Sequence, residues 1–239
     1  MKIKALLIDL DDTLFDHRHS SRLGLEVLRA YYQKLASSSL DELEKENSIL
    51  LEEVHATQVL TGKLSIEEAR AERFLRIFKS HGERFPDSKK YQAAALYRQA
   101  YESNIRLVPG AKELLTSLHG KLKIGIVTNN LVSEQKRKLK DLQIESYIDE
   151  LVTSEEVGVA KPGALIFQTA LKRLGAATDE TVMIGDSWQS DIVGAHKLGI
   201  KCIWLNIYGT PCPDNKIAHE IRSLKDKKHI HHLIFFDKQ

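Results

Sequence analysis

A chain of 239 residues is long enough for one large domain or for a core carrying an insertion. Its 42% hydrophobic and 28% charged content is ordinary for a globular protein, and 35 basic against 33 acidic residues leave a net charge of +2. That balance gives no footing for a nucleic-acid polymer or an anionic membrane, and no apolar run approaches the ~20 residues of a membrane span. The N-terminal apolar stretch is too short for a signal peptide and is broken by Asp9. Cys202 and Cys212 form no CxxC pair, and Cys202 sits in an apolar run, which suits a buried free thiol in a reducing compartment. The expectation is a cytoplasmic protein.

The opening segment, MKIKALLIDLDDT, reads as a buried strand ending in a turn-prone acidic cluster. In a parallel sheet, ligands sit at that carboxyl end. Asp9 and Asp11 are two residues apart, so on an extended chain they point the same way and repel each other. A hard divalent metal resolves the repulsion with oxygen ligands, and a raised pKa on one carboxyl resolves it with a proton. Residues 14–20 read as a loop leaving this cluster, with His17 and His19 on it. From Ser21 to Asn104 the pattern is helical. Leu23, Val27, Leu28 and Tyr31 recur at helical spacing, Ser39 starts a long helix that Gly62 ends, and Ser65 with Glu68 forms a capping box for the next. Pro86 marks a break before a further helix carrying Ala93, Leu96, Tyr97 and Ala100.

Pro109 and Gly110 reset the pattern. A helix with Leu114, Leu115 and Leu118 on one face stops at Gly120, and the buried strand Lys123–Val127 ends in Thr128, Asn129 and Asn130. A basic helix, Ser133–Leu142, comes next, and a third strand spans Ile148–Thr153. Residues 154–163 read as a loop and Ala164–Leu174 as a helix. A fourth strand, Thr181–Ile184, ends in Gly185 and Asp186. A helix over Asp191–Leu198 and a fifth strand, Cys202–Leu205, complete the pattern. Strands alternating with helices of this length predict an α/β fold with a doubly wound parallel sheet, interrupted after its first strand by an all-helical insertion. The ending, Asp226–Gln239, holds His229, His231 and His232 and reads as a tail or short surface element.

Four polar signals each follow a predicted strand: Asp9 with Asp11, then Thr128, then Lys161, then Asp186 with Asp191. Singly, each is an ordinary turn or surface residue. Together they put anionic, hydroxyl and cationic groups on one sheet edge, a combination suited to phosphoryl transfer with Mg²⁺ among the carboxylates. Lys161 precedes Pro162, which biases it to extended geometry.

With these motifs in view, the sequence resembles the haloacid dehalogenase superfamily of phosphohydrolases. DLDDT at 9–13 matches its DxDxT motif, IVTN at 126–129 its second, Lys161-Pro162 its third, and GDSWQSD at 185–191 its GDxxxxD. The resemblance covers about residues 1–16 and 105–206, and a helical cap between the first two motifs is the first cap class, C1, of subclass I. It implies a Rossmann-like core over 1–16 plus 105–239 and a cap over 17–104. It further implies that Asp9 is the nucleophile, forming an aspartyl phosphate, and that Asp11 acts as acid and then base. Asp9, the Asp11 carbonyl oxygen and Asp186 would ligate Mg²⁺, with Asp191 orienting a ligand water or supporting that shell. Thr128 and the Asn129 amide would bind the phosphoryl group, and Lys161 would offset its charge. The family often has glycine where Asp12 stands, and Asp12 is expected to cap the turn after the strand. An acid at Asp11 favours phosphate esters over carbon halides, which have no leaving oxygen to protonate.

KIGIVTNN, SEEVGVAKP and, more loosely, TGKLSIEEARAERF resemble the branch of pyrimidine 5′-nucleotidases that also take non-standard nucleotides. Sugar-phosphate, phosphoglycolate and acylneuraminate phosphatases of the same class share much of this pattern. The implied partner is a small-molecule phosphate ester, in a monomer or homodimer. Phe15, His17, Arg70, Arg73 and Phe74 are candidates for contact with the leaving group. Two other classes compete: a phospho-acceptor signalling domain, which places its acceptor on a middle strand without a large helical insertion, and a non-catalytic binding protein that keeps the fold.

Overall fold

Ala5–Ile8 forms strand β1, and all four of its side chains are fully buried. A strand apolar at every position belongs where both faces of a parallel sheet are covered. Strands β2 (Lys123–Thr128), β3 (Glu150–Thr153), β4 (Thr181–Gly185), β5 (Lys201–Leu205) and β6 (His219–Ile221) follow. They form one six-stranded parallel sheet in the order β3-β2-β1-β4-β5-β6. The chain runs outward through β2 and β3 on one side of β1, then crosses to β4 and runs outward on the other. The switch point, where a doubly wound sheet opens a crevice, therefore lies between β1 and β4. The computed structural model describes residues 2–59, 61–83 and 86–236. Met1 of the opening segment and residues 237–239 of the His-rich ending lie outside the described residues, as do Leu60, Arg84 and Phe85.

The chain divides into two compact units, 1–16 with 106–239 and 17–105. In the second, α1 (His17–Tyr31), α2 (Leu40–Val54), α3 (Ile66–Ser80) and α4 (Asp87–Ser103) enclose a core of Leu25, Leu28, Phe74, Ile77, Phe78 and Tyr97. The expected capping box of Ser65 and Glu68 opens α3, and Ser39 with Glu42 builds a second one on α2. The long helix expected from Ser39 to Gly62 is shorter than its pattern: α2 gives way to a π-turn over His55–Val59. The expected loop over 14–20 is likewise shorter, because α1 already begins at His17. Phe74 is fully buried and its ring lies 4.8 Å from that of Tyr97. Phe74→Ala is expected to lower the unfolding free energy by about 3–5 kcal/mol, read by urea denaturation.

In the first unit, α5 (Ala111–Leu118), α6 (Val132–Asp141), α7 (Ser154–Val157), α8 (Ala164–Leu174), α9 (Val193–His196) and α10 (Lys227–Phe235) connect and follow the strands. Leu7, Val127, Phe167, Met183, Cys202 and Trp204 belong to its main core. Cys202 is a free, buried thiol, and burial with Asp191 nearby pushes its pKa up to about 12. The sequence pattern misses β6 because three residues with a single buried apolar side chain, Ile221, carry no readable period. It expects a helix from Asp191, whereas Trp188–Ile192 is a π-turn and α9 spans a single turn after it. The ending is a packed helix rather than a tail. α10 buries Ile230, Leu233 and Ile234, and His231 Nε2 lies 2.8 Å from Ser117 Oγ on α5. Among the described residues, no helix is long and apolar enough to cross a membrane.

Candidate active site

The sheet delivers its polar residues to one edge through the ends of β1, β2 and β4 and the loop after α7. Asp9 follows β1, and its N–H donates to Ile184 O at 3.0 Å, which ties it to the neighbouring β4. Lys161 is 5% exposed and donates through Nζ to Asp9 Oδ1 and Asp191 Oδ1, each at 2.6 Å, and to Val127 O at 2.7 Å. One oxygen from each of Asp9, Asp186 and Asp191 lies within 4.8 Å of the others. Gly185 makes this approach possible, since a Cβ there would stand 2.2 Å from Asp191 Oδ2. Asp191 Oδ2 also accepts the Ser187 N–H at 3.0 Å. Thr13 ties the first motif to the last: its Oγ1 donates to Asp186 Oδ1 at 3.2 Å and accepts the Asp186 N–H at 3.1 Å. Trp204 Nε1 holds the Asp186 carbonyl at 2.8 Å.

Three carboxylates around one ammonium leave a surplus of negative charge. Burial pushes the Asp9 carboxyl up to about 7; Lys161 opposes the rise, and Asp191 and Asp11 add to it. Burial raises Asp186 as well, helped by Asp9, Asp191 and Asp12. Burial acts to lower the Lys161 pKa, but Asp191 and Asp9 outweigh it and hold the ammonium above the ordinary lysine range. The donors facing one another are carboxylate oxygens, and a hard cation fits both their chemistry and their unbalanced charge.

Asp11 faces a different set of partners. Its Oδ1 accepts from Lys138 Nζ at 2.5 Å, and its Oδ2 from Gln135 Nε2 at 2.9 Å and Asn130 Nδ2 at 3.4 Å. Gln135 Nε2 also donates to Thr128 Oγ1 at 2.6 Å. The Asn129 side chain clamps the Lys161 backbone: its Nδ2 donates to Lys161 O at 3.0 Å and its Oδ1 accepts the Lys161 N–H at 2.7 Å. Asp12 adopts φ +60, the left-handed region where glycine is unstrained, and its N–H donates to Phe15 O at 2.7 Å. Gln135, Lys138 and Trp204 escape the sequence reading, and Thr13 is read there only as the last residue of its motif. The one available signal was the three-residue spacing of Gln135 and Lys138 on the basic helix after the second motif, which puts them on one face.

The residues expected to contact the leaving group have other partners. Phe15 is fully buried, with Lys138 Nζ 5.2 Å from its ring centroid. Phe74 and Arg73 are buried in the helical unit, the Arg73 guanidinium lying against the rings of Phe74 and Tyr97. Arg73 is thus not a surface contact. Arg70 is half-buried, and His17 Nδ1 lies 2.8 Å from Tyr101 Oη.

A sequence profile of haloacid dehalogenase-like hydrolases matches residues 3–199. The chain belongs to this family of hydrolases. Pyrimidine 5′-nucleotidase YjjG of Escherichia coli (strain K12) is 42% identical over 108 residues, spanning 45% of this chain and 48% of that one. Ribulose-1,5-bisphosphate 5-phosphatase of Halopiger xanaduensis is 30% identical over 202 residues, 83% of each chain. Among solved structures, the HAD-hydrolase YfnB of Bacillus subtilis, bound to magnesium, superposes with a TM-score of 0.75 at 24% identity, covering 98% of this chain and 99% of that one.

Proposed function

We infer that this enzyme is a Mg²⁺-dependent phosphomonoester hydrolase that works through an aspartyl phosphate on Asp9, and that its substrates are pyrimidine or non-standard nucleoside 5′-monophosphates. The observation that carries the reading is the Lys161 ammonium seated on both Asp9 and Asp191, with an Asp186 oxygen in the same cluster. Asp9, the Asp11 carbonyl and Asp186 would hold Mg²⁺, with Asp191 supporting them. The metal, when bound, supplies positive charge against the phosphoryl oxygens and keeps the carboxylates ionised.

In the first step an Asp9 oxygen forms a bond to phosphorus and the bond to the leaving oxygen breaks. Asp11 gives that oxygen its proton. In the second step Asp11 takes a proton from a water, whose oxygen bonds to phosphorus as the Asp9–phosphorus bond breaks. Thr128 Oγ1 and the Asn129 main-chain amide hold phosphoryl oxygens, and Lys161 offsets the charge gathered around Asp9.

The 42% identity to a pyrimidine 5′-nucleotidase supports the nucleotide reading. A sugar-phosphate reading draws on the ribulose-1,5-bisphosphate 5-phosphatase, whose match spans more of the chain. A panel assayed with Mg²⁺ separates them: dUMP, dTMP, UMP, sugar phosphates, phosphoglycolate and acylneuraminate phosphate. The highest kcat/KM is expected on the pyrimidine nucleotides, with turnover lost in EDTA. Preference for a sugar phosphate would transfer the assignment to the other reading.

A further inference from the structure

Helix α6 sends two enclosed polar side chains from one face into the site. Gln135 is fully buried and Lys138 is 5% exposed. A carboxamide nitrogen carries two protons and no usable acceptor. Gln135 places one proton on Asp11 Oδ2 at 2.9 Å and the other on Thr128 Oγ1 at 2.6 Å. Its own Oε1 is buried with no hydrogen-bond partner among the described residues. An orphaned buried acceptor is a cost that an apolar residue of the same size would avoid. Turning the amide over would set its oxygen against the Asp11 carboxylate, so the bond to Asp11 dictates its orientation.

We propose that Gln135 and Lys138 are positioning residues for the hydrolysis: the two clamp the Asp11 carboxyl in its working pose, and Gln135 also aims the Thr128 hydroxyl. This rests on the phosphatase reading above. The Thr128 oxygen accepts from Gln135, which directs its own proton away from Gln135 and leaves it to donate to a phosphoryl oxygen. Asp11 has one oxygen on Lys138 and the other on Gln135, so rotation of its carboxyl plane breaks a bond at either end. The two residues therefore differ in reach. Of Asp11 and Thr128, Lys138 holds Asp11, while Gln135 holds both.

The test compares wild type, Lys138→Met and Gln135→Met on phenyl phosphate and p-nitrophenyl phosphate with Mg²⁺. Phenol is by far the weaker acid of the two leaving groups and depends more on protonation. Lys138→Met is expected to lower kcat/KM, which reports the step that protonates the leaving group and not the later attack of water, about 30-fold or more on phenyl phosphate and less than about threefold on p-nitrophenyl phosphate, part of what a well-placed acid contributes. Gln135→Met is expected to show the same ratio between the two losses, on top of a KM raised about tenfold on both substrates. Lys138→Arg, which retains a donor to Asp11, is expected to restore phenyl phosphate turnover to within about fivefold of wild type. Where circular dichroism shows a methionine variant unfolded, Gln135→Asn and Lys138→Gln, which keep polarity and shorten reach, take its place with the same expectations. Equal losses of kcat/KM on both substrates, or no loss, would overturn the proposal and leave the phosphatase reading standing. A wild-type protein inactive on both would overturn both.

Discussion

Asp9→Asn is expected to abolish turnover, lowering kcat on p-nitrophenyl phosphate at least about ten-thousandfold in a protein that still folds. The amide that replaces the carboxylate is a poor nucleophile, and no neighbour can take over: Asp191 is fully buried and bound by Lys161 and the Ser187 N–H. The fold survives because the substitution keeps the shape and removes a charge from a crowded site. Lys161 retains Asp191 and Val127 O as partners. Circular dichroism and a steady-state assay with Mg²⁺ check both halves. A folded variant with turnover within tenfold of wild type would remove Asp9 from the mechanism. The lifetime of the acyl phosphate on the wild-type protein addresses the signalling alternative. A phospho-acceptor domain would hold an acyl phosphate for many seconds or longer, whereas a hydrolase with Asp11 in place releases it within a turnover.

The elements that the sequence makes readable are those whose burial leaves a run or a period. β1, β2, β4 and β5 are near-continuous apolar segments because both faces of the sheet are covered. β6 and the π-turn at Trp188–Ile192 are not readable. The strand has too few buried residues, and the π-turn has the residue types of an ordinary helix start. Asp9, Thr128 and Asp186 are readable because each is a polar break at the end of an apolar strand, and Lys161, on the loop after α7, because it precedes Pro162. Gln135 and Lys138 are not, because their shared partner, Asp11, is distant in sequence. A buried lysine on an amphipathic helix carries the same pattern as a solvated one. Arg73 is the inverse case. It reads as a candidate for contact with the leaving group and lies buried against two aromatic rings, where the long apolar stem of an arginine packs and its head meets π-faces.

Without metal, the protein is expected to lose stability as pH rises from about 4 to 7, and Mg²⁺ is expected to return it. The cause is the Asp9 carboxyl, raised by burial from 3.8 to about 7. Across that interval the folded chain holds a proton that the unfolded chain has released. Stability therefore falls as pH climbs through the window, by about 4 kcal/mol for a shift of this size. Asp186 is raised by the same burial and acts in the same direction. Lys161 adds no slope there: its pKa lies above the ordinary 10.5 in the folded state, so its contribution is fully present throughout the window and is lost only at higher pH. A cation bound to the ionised cluster stabilises the folded state by an amount that grows with the logarithm of its concentration over its Kd, so Mg²⁺ should raise Tm more at pH 8 than at pH 5. Calorimetry in EDTA and in Mg²⁺ at the two pH values measures the difference, and Asp9→Asn isolates its source. The wild type in EDTA should lose stability relative to this variant as pH rises, and the Mg²⁺ increment should shrink in the variant. Parallel pH profiles for the two proteins, with equal Mg²⁺ increments, would mean that the acidic cluster is neither electrostatically crowded nor the place where the metal binds.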